Sequence, residues 1–258
     1  MVSVSVTTVL YNNSNDQIEK FVLNMLSVMR DFDCKIYLVN NSSENDRLRK
    51  FLKKYKDNRI CVINSSKNGG VAYGNNAVLS NLKSDYHFVV NPDVYVSDDV
   101  QIKKMINYME SNPQYGLLSP LIKFPSGKIQ HLLKKEATIA DMALRFIGLP
   151  IFKKRKARFV NLPDGYSSIH DAENVPGSFM LFRTSIFESI GGFDESYFLY
   201  MEDSDITRKV NQVSKSVFFP DAFVYHEWQR ENRKSVRGVI QMLRSMKIYF
   251  NKWGWKLW

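Results

Sequence analysis

Cysteine is almost absent from this chain. Cys34 and Cys61 are the only two, too few for a disulfide framework or a thiolate zinc site. Long apolar runs are missing as well, since nothing approaches the roughly 20 residues that span a bilayer. The N-terminus has no basic segment followed by an apolar core, so no secretory leader is read there and the expected compartment is the cytosol. Repeats and low-complexity stretches are absent. Acid is scarce relative to base, with 26 Asp and Glu against 36 Lys and Arg and a net charge of +10. The base is clustered: from Lys123 to Arg158 ten lysines and arginines meet only Glu136 and Asp141, and a second basic group runs from Arg230 to Lys256. Such patches suit anionic partners, and equally suit a solvated face.

What is present is globular in composition, at 44% hydrophobic. A length of 258 residues suffices for one large α/β domain, or for one domain with an appended helix. Val2, Val4 and Val6 alternate into a first strand ending at Leu10. Asn13, Ser14 or Asn15 can cap a helix whose Ile18, Phe21, Val22, Met25 and Met29 keep helical spacing. Lys35–Val39 predicts a second strand, Asp46–Tyr55 a charged helix, Ile60–Ile63 a third strand and Val71–Leu82 a helix. Tyr86–Val90 is the fourth strand, interrupted only by His87 and read as buried on both faces. Val100–Met109 predicts a helix and Gly116–Ser119 the start of a fifth strand. This alternation predicts a mainly parallel sheet with helices on its faces and right-handed crossovers. After Pro120 the pattern breaks. A hairpin is read at Phe124–Lys128, and regular structure resumes near Val175. Ser216–Phe219 and Ala222–Tyr225 read as strand on either side of a Pro220-Asp221 turn, and a basic aromatic helix closes the chain.

The fourth strand stops on Asn91-Pro92-Asp93. Pro92 donates no ladder hydrogen bond, which leaves Asn91 and Asp93 at the carboxyl end of a central strand, where open α/β sheets place their ligands. A carboxylate there is solvated, paired or bound to a cation, because burying it alone is too costly. A turn acid capping the next helix is the alternative, a task for which Asp98 or Asp99 also qualify. Asn68-Gly69-Gly70 through Asn75-Asn76 puts glycines at a loop-to-helix junction, where close backbone approach and free amides favour phosphate. It carries no Walker or dinucleotide fingerprint, so a plain glycine turn accounts for it too. Glu202, Asp203 and Asp205 open a helix marked by Ile206, Val210 and Val213. The helix dipole favours such acids and is expected to keep them ionised at neutral pH, and an ionised carboxylate aimed into a cleft can take a proton from a hydroxyl. A helix cap explains one or two of these acids, but not the aromatics crowding the approach to them. His226 is either a hydrogen-bonded structural residue or, with Asp93, part of a divalent-metal site holding a diphosphate.

Taken in order, these pieces resemble the family 2 glycosyltransferases of the GT-A fold, above all the rhamnosyltransferase-like branch that builds bacterial surface polysaccharides. The resemblance covers residues 3 to 226. It rests on Val9-Leu10-Tyr11-Asn12-Asn13, Val39-Asn40-Asn41-Ser42-Ser43, Asn68-Gly69-Gly70 with Gly74-Asn75-Asn76, and Asn91-Pro92-Asp93. It continues with Val175-Pro176-Gly177-Ser178-Phe179-Met180, Gly191-Gly192-Phe193-Asp194-Glu195, Tyr200-Met201-Glu202-Asp203-Ser204-Asp205 and Val224-Tyr225-His226. It implies an α/β, GT-A type, Rossmann-like domain over 1–228, with a nucleotide-binding half at 1–121 and an acceptor-binding half at 122–228. The basic amphipathic helix of 229–258 follows. The implied activity is inverting transfer of a sugar from a nucleotide diphosphate to a glycan hydroxyl. Tyr11 and Asn40 are then expected at the base, Asn68 with Gly69 and Gly70 near base or ribose, and Asn75, Asn91 and Gly177 elsewhere along the nucleotide-sugar. Asp93 and His226 are expected to hold Mg²⁺ or Mn²⁺ across the diphosphate. Asp203 is the expected general base, with Glu202 and Asp205 as alternatives for base or acceptor contact, and Trp228 is assigned with Asp205 to the acceptor. Two positions depart from the family pattern. Asn40 stands where aspartate is usual, an amide that still accepts from a pyrimidine N–H but brings no charge, and Leu10 replaces a threonine.

The same resemblance implies dTDP-rhamnose or a UDP-hexose as donor and a polyprenyl-diphosphate-linked glycan as acceptor, in O-antigen or capsule biosynthesis. Ala140–Phe152 with the following Lys153-Lys154-Arg155-Lys156, and the basic aromatic stretch Val236–Trp258, fit segments lying on the inner face of an anionic membrane. A helix packed on the domain accounts for the C-terminal stretch equally. A nucleotidyltransferase needs a basic glycine-rich loop after the first strand, and Leu10-Tyr11-Asn12-Asn13 is not one. A nucleic-acid module interleaves basic and aromatic residues on a sheet face. The lysines here gather instead in one insertion and one terminal helix, so no nucleic acid is expected. A catalytically silent scaffold is left open by Asn40, and nothing in the sequence sets an oligomeric state.

Overall fold

Alternating Val4 and Val6 commit the first residues to β1 (Ser3–Leu10), and Ser14 turns the chain into α1 (Asn15–Val28) by accepting the Gln17 amide at 3.2 Å. The computed structural model describes residues 2–42, 44–147, 152–227 and 236–258, without the side chains of 145–147. The expected alternation continues through β2 (Asp33–Asn40), α2 (Asp46–Leu52), β3 (Ile60–Asn64), α3 (Gly70–Asn76) and β4 (Tyr86–Val90). Next come β5 (Val94–Tyr95), α4 (Asp99–Ser111), β6 (Tyr115–Lys123), the insertion helices α5 (Ile139–Ile147) and α6 (Lys153–Phe159), and β7 (His170–Asp171). The last elements are β8 (Phe179–Arg183), α7 (Thr184–Ser189), α8 (Glu202–Val213), β9 (Lys215–His226) and α9 (Val236–Trp253).

The strands form one sheet in the order β3-β2-β1-β4-β8-β6-β9-β5, with β7 on β9. β3, β2, β1 and β4 are parallel, as the alternation predicts. β8 then enters antiparallel to both β4 and β6, while β6 runs parallel to β9, so the far half is mixed. β4 is buried on both faces: Phe88 and Val90 join the layer under α1 and α4, and Val89 the layer under α3, α7 and α8. A smaller cluster gathers Ala137 and Met142 with Tyr197, Met201, Tyr249 and Phe250.

Several elements differ from expectation. The helix read over Val71–Leu82 stops at Asn76, whose side chain is drawn to the Phe193 backbone, donating to its O at 2.8 Å and accepting from its N at 2.9 Å. A single 3₁₀ turn at Leu79–Asn81 replaces the rest, and α2 ends at Leu52 rather than Tyr55. The two strand pieces around Pro220-Asp221 are one strand, β9. Pro120 pairs with Phe219 and Leu121 with Phe223, so Pro220, Asp221 and Ala222 bulge from the ladder without ending it. The C-terminal stretch packs on the domain through Ser245, Tyr249 and Phe250, and Ser245 Oγ donates to Leu199 O at 2.7 Å. Among the described residues no helix is long and apolar enough to cross a membrane.

Candidate active site

β4 and β8 pair through Val90 and Phe179, so the residues just beyond those ends lie side by side and Asn91 N donates to Ser178 O at 2.9 Å. The neighbouring Gly177 abuts α8, where a Cβ on it would come within 3.2 Å of Asp203 Cβ. These contacts bring Asn91, Asp93, Gly177 and Asp203 to one end of the sheet. Both carboxylates keep part of their side-chain surface open, 16% for Asp93 and 17% for Asp203. The capping role that competed for Asp93 belongs to Asp98, which accepts the Gln101 amide at the start of α4.

His226 arrives beside Asp93 through backbone pairing. β5 meets β9 at Val94–His226, Glu227 N donates to Asp93 O at 3.0 Å, and His226 Nε2 lies 3.5 Å from Asp93 Oδ1. That separation is longer than an N–H···O hydrogen bond, yet two ligand bonds of roughly 2.0–2.1 Å span it. Among the described residues no group of three or more His, Cys, Asp and Glu side chains can hold a metal by itself. A metal held by this pair would take its remaining ligands from substrate oxygens and water.

α8 starts after Tyr200 and Met201, both in the left-handed region at φ 70° and 68°. For non-glycine residues that costs roughly 1–3 kcal/mol each, and such strain collects at functional sites. Met201, the residue at the cap position, makes no side-chain capping hydrogen bond. Asp203 Oδ1 accepts from Ser204 N at 2.8 Å, and its Oδ2 faces Lys134 Nζ at 3.4 Å. Lys134 is placed by its amide, which donates to Asn174 O at 3.1 Å, and Asn174 Nδ2 donates in turn to Ser204 Oγ at 2.8 Å. Glu202 is different. Its Oε2 is enclosed without a partner, and burial, followed by the charge of Asp203, pushes its carboxyl up to about 8. The expectation that the dipole keeps all the acids of this turn ionised is corrected for Glu202, where lost hydration outweighs the dipole. Asp205 is corrected as well. It is fully buried, with Trp253 Nε1 donating to Oδ1 at 2.7 Å and Lys252 Nζ 2.9 Å away, so it clamps α9 and presents nothing to an acceptor. Trp228 lies outside the described residues.

The nucleotide residues divide similarly. Tyr11 stands 56% exposed after β1. Asn40 is completely enclosed, with Nδ2 donating to Asn64 Oδ1 and Oδ1 accepting from Ser42 N, both at 2.9 Å. Its expected contact with the base is corrected, since it has no free surface to offer. Gly70 sits at φ 88°, and a Cβ there would fall 2.0 Å from Phe198 O. Gly70 N donates to Asn68 Oδ1 at 3.1 Å and Val71 N to Phe198 O at 3.0 Å, so these amides are not free for phosphate. Gly70 fits the loop against the approach to α8, and Gly69 makes room for the Tyr73 ring. Asn75 is buried, donating to Val71 O at 3.0 Å and leaving Oδ1 unpartnered. Sequence reasoning passed over Gln130 and counted Lys134 only as charge. The one signal for either was the hairpin turn, where Phe124 N donates to Lys128 O at 2.8 Å and the chain returns along β6.

The architecture is that of the GT-A glycosyltransferases. Over 96% of this chain it matches "Mannosyltransferase PcManGT from Pyrobaculum calidifontis in complex with GDP-Man and Mn2+", with a TM-score of 0.64, 13% identity and 64% of that chain covered. It matches "GalNAc-T7 with UDP, GalNAc and Mn2+" over 96% as well, with a TM-score of 0.67, 14% identity and 48% of that chain covered. Residues 5–191 match Glycosyl transferase family 2, and the protein belongs to that family. It is 25% identical over 228 residues to N-acetylglucosaminyl-diphospho-decaprenol L-rhamnosyltransferase from Mycobacterium tuberculosis, covering 81% of this chain and 71% of the relative. It is 26% identical over 174 residues to rhamnosyltransferase WbbL from Escherichia coli K12, covering 64% of this chain and 63% of that one. The chain thus spans less than two thirds of WbbL and of both solved structures.

Proposed function

We propose that this protein is an inverting glycosyltransferase moving a sugar, rhamnose in the leading reading, from a nucleoside diphosphate to a hydroxyl of a polyprenyl-diphosphate-linked glycan. The placement of Asp93 with His226, and of Asp203 with Lys134, at one end of the sheet carries the reading. Two relatives named as rhamnosyltransferases support the sugar, one of them also the lipid-diphosphate acceptor, and complexes with GDP-Man or UDP support the class of donor. A UDP-hexose is the alternative donor.

In this reading Asp203 is the base. Burial raises the Glu202 carboxyl and favours its protonated form, which makes it the poorer base, and Asp205 is enclosed. The Ser204 amide and Lys134 orient the two oxygens of Asp203. One of them accepts the hydroxyl proton as the acceptor oxygen bonds to the anomeric carbon, opposite the diphosphate. The bond from that carbon to the diphosphate oxygen breaks, its electron pair departs with the nucleotide, and the configuration inverts. Mg²⁺ or Mn²⁺ held by Asp93 and His226, when bound, offsets charge developing on the departing diphosphate. Exposed Tyr11 offers its ring to the base. The acceptor is met at the cytoplasmic face of the membrane, with α6 and the residues after α9 against the head groups.

Replacing Asp203 by Asn keeps the shape and removes the proton acceptor. Transfer is expected to fall roughly 10²–10⁴-fold, with nucleotide binding retained. Transfer within tenfold of wild type sinks the assignment. A thermal-shift screen of nucleotide-sugars, with and without Mn²⁺, then identifies the donor.

A further inference from the structure

We propose that Gln130 sets His226 in the tautomer that ligates a metal, an inference that rests on the metal site of the preceding reading. Gln130 follows the hairpin turn and is 1% exposed. Its amide spans His226 from backbone to ring. Nε2 donates to the His226 carbonyl oxygen at 2.6 Å and to the Lys123 carbonyl oxygen at 3.4 Å, and Oε1 lies 3.0 Å from His226 Nδ1. The carbonyls decide which way the amide points, because a carbonyl oxygen only accepts and only the NH₂ end of the amide donates. Oε1 is therefore the atom that faces the ring. It too only accepts, which assigns the ring proton to Nδ1.

The nitrogen left facing Asp93 Oδ1 across 3.5 Å is Nε2, with its lone pair outward. Two electron-rich atoms thus confront each other, an arrangement that a cation between them makes favourable. Metal-bound histidines commonly donate their other N–H to an oxygen that fixes tautomer and ring orientation. Gln130 fills that role here while also holding the backbone of the same residue. The backbones of Asp93 and His226 are also held to each other independently of Gln130, through the β5–β9 pairing at Val94–His226. Gln130 is a positioning residue.

The test uses the full chain and Mn²⁺ with dTDP, and separately with UDP, as probes. In the wild type, ¹⁵N shifts of the four histidines are expected to show His226 protonated at Nδ1 in the metal-free protein, a readout that needs no variant. Gln130→Met, with Gln130→Leu as a second variant, is expected to weaken Mn²⁺ binding roughly 10–100-fold and to lose the Nδ1–H pattern. Saturating Mn²⁺ is expected to restore turnover. An Nε2–H tautomer in the wild type overturns the proposal, as does a loss of turnover that excess Mn²⁺ does not restore. Unchanged Mn²⁺ binding in the Gln130 variants, while Asp93→Ala and His226→Ala lose it, overturns the role of Gln130 and leaves the metal reading standing. If those two variants also bind Mn²⁺ as wild type does, the metal reading falls and this inference with it.

Discussion

Glu202 and Asp203 are adjacent in sequence and opposite in surroundings. One faces Lys134; the other, also half-buried, has one enclosed carboxylate oxygen without a partner. The Glu202 carboxyl, lifted from 4.5 to about 8, holds a proton in the folded state over a range where the unfolded chain has released it. The stability this lends is whole below about pH 4.5 and is lost as pH rises through about 8. Glu202→Gln cannot ionise, so its melting temperature relative to wild type is expected to climb between pH 5 and pH 8.5. Melting curves across that range check it, and a difference that stays flat contradicts the raised carboxyl. The acid pair was visible in the sequence because acids at a helix start carry a local signature. That one of the two keeps its proton was not, because enclosure depends on distant residues.

The same division holds for elements. β1, α1 and β4 were legible because alternation and helical spacing survive in a short window. α3 was misjudged because Asn76 is claimed by Phe193, and β9 because a proline bulge resembles a turn. The partnerships at the candidate site, Gln130 with His226 and Lys134 with Asp203, join the insertion to elements far along the chain and leave no periodic trace. Between α8 and α9 the partner of buried Asp205 is Lys252, which also reaches Asp194 at 2.7 Å, while Trp253 donates to the same carboxylate. Lys252→Met is expected to cost on the order of 3 kcal/mol by leaving a buried charge short of its counter-ion, and adding Asp205→Asn is expected to return part of it. Urea denaturation of the single and double variants measures both. Equal stability of Lys252→Met and wild type shows that α9 is not pinned there.

At the scale of the molecule, basic and aromatic residues collect on one surface. Ile139 N and Ala140 N donate to the carbonyls of Lys256 and Leu257, and the Arg155 guanidinium lies 4.5 Å from the Trp258 ring centre. This ties the residues after α9 to the α5–α6 insertion. Trp255, Leu257 and Trp258 remain 57%, 65% and 75% exposed, and α6, which meets Trp258 through Arg155, carries Lys153, Lys154 and Lys156. Aromatic and cationic groups so combined suit the surface of an anionic bilayer. The protein is expected to float with anionic liposomes at physiological salt, and less so after Trp255→Ala with Trp258→Ala. Failure to float removes the membrane contact.

β8 lies between β4 and β6 although the whole insertion separates it from β6 in the chain. A ribosome that has released the first two of these strands has yet to supply the one that joins them. Until Phe179–Arg183 emerges, the edges of β4 and β6 that it will join stay open, each able to zip onto a neighbouring nascent chain. Delay of this late strand is therefore expected to favour self-association of the nascent chain.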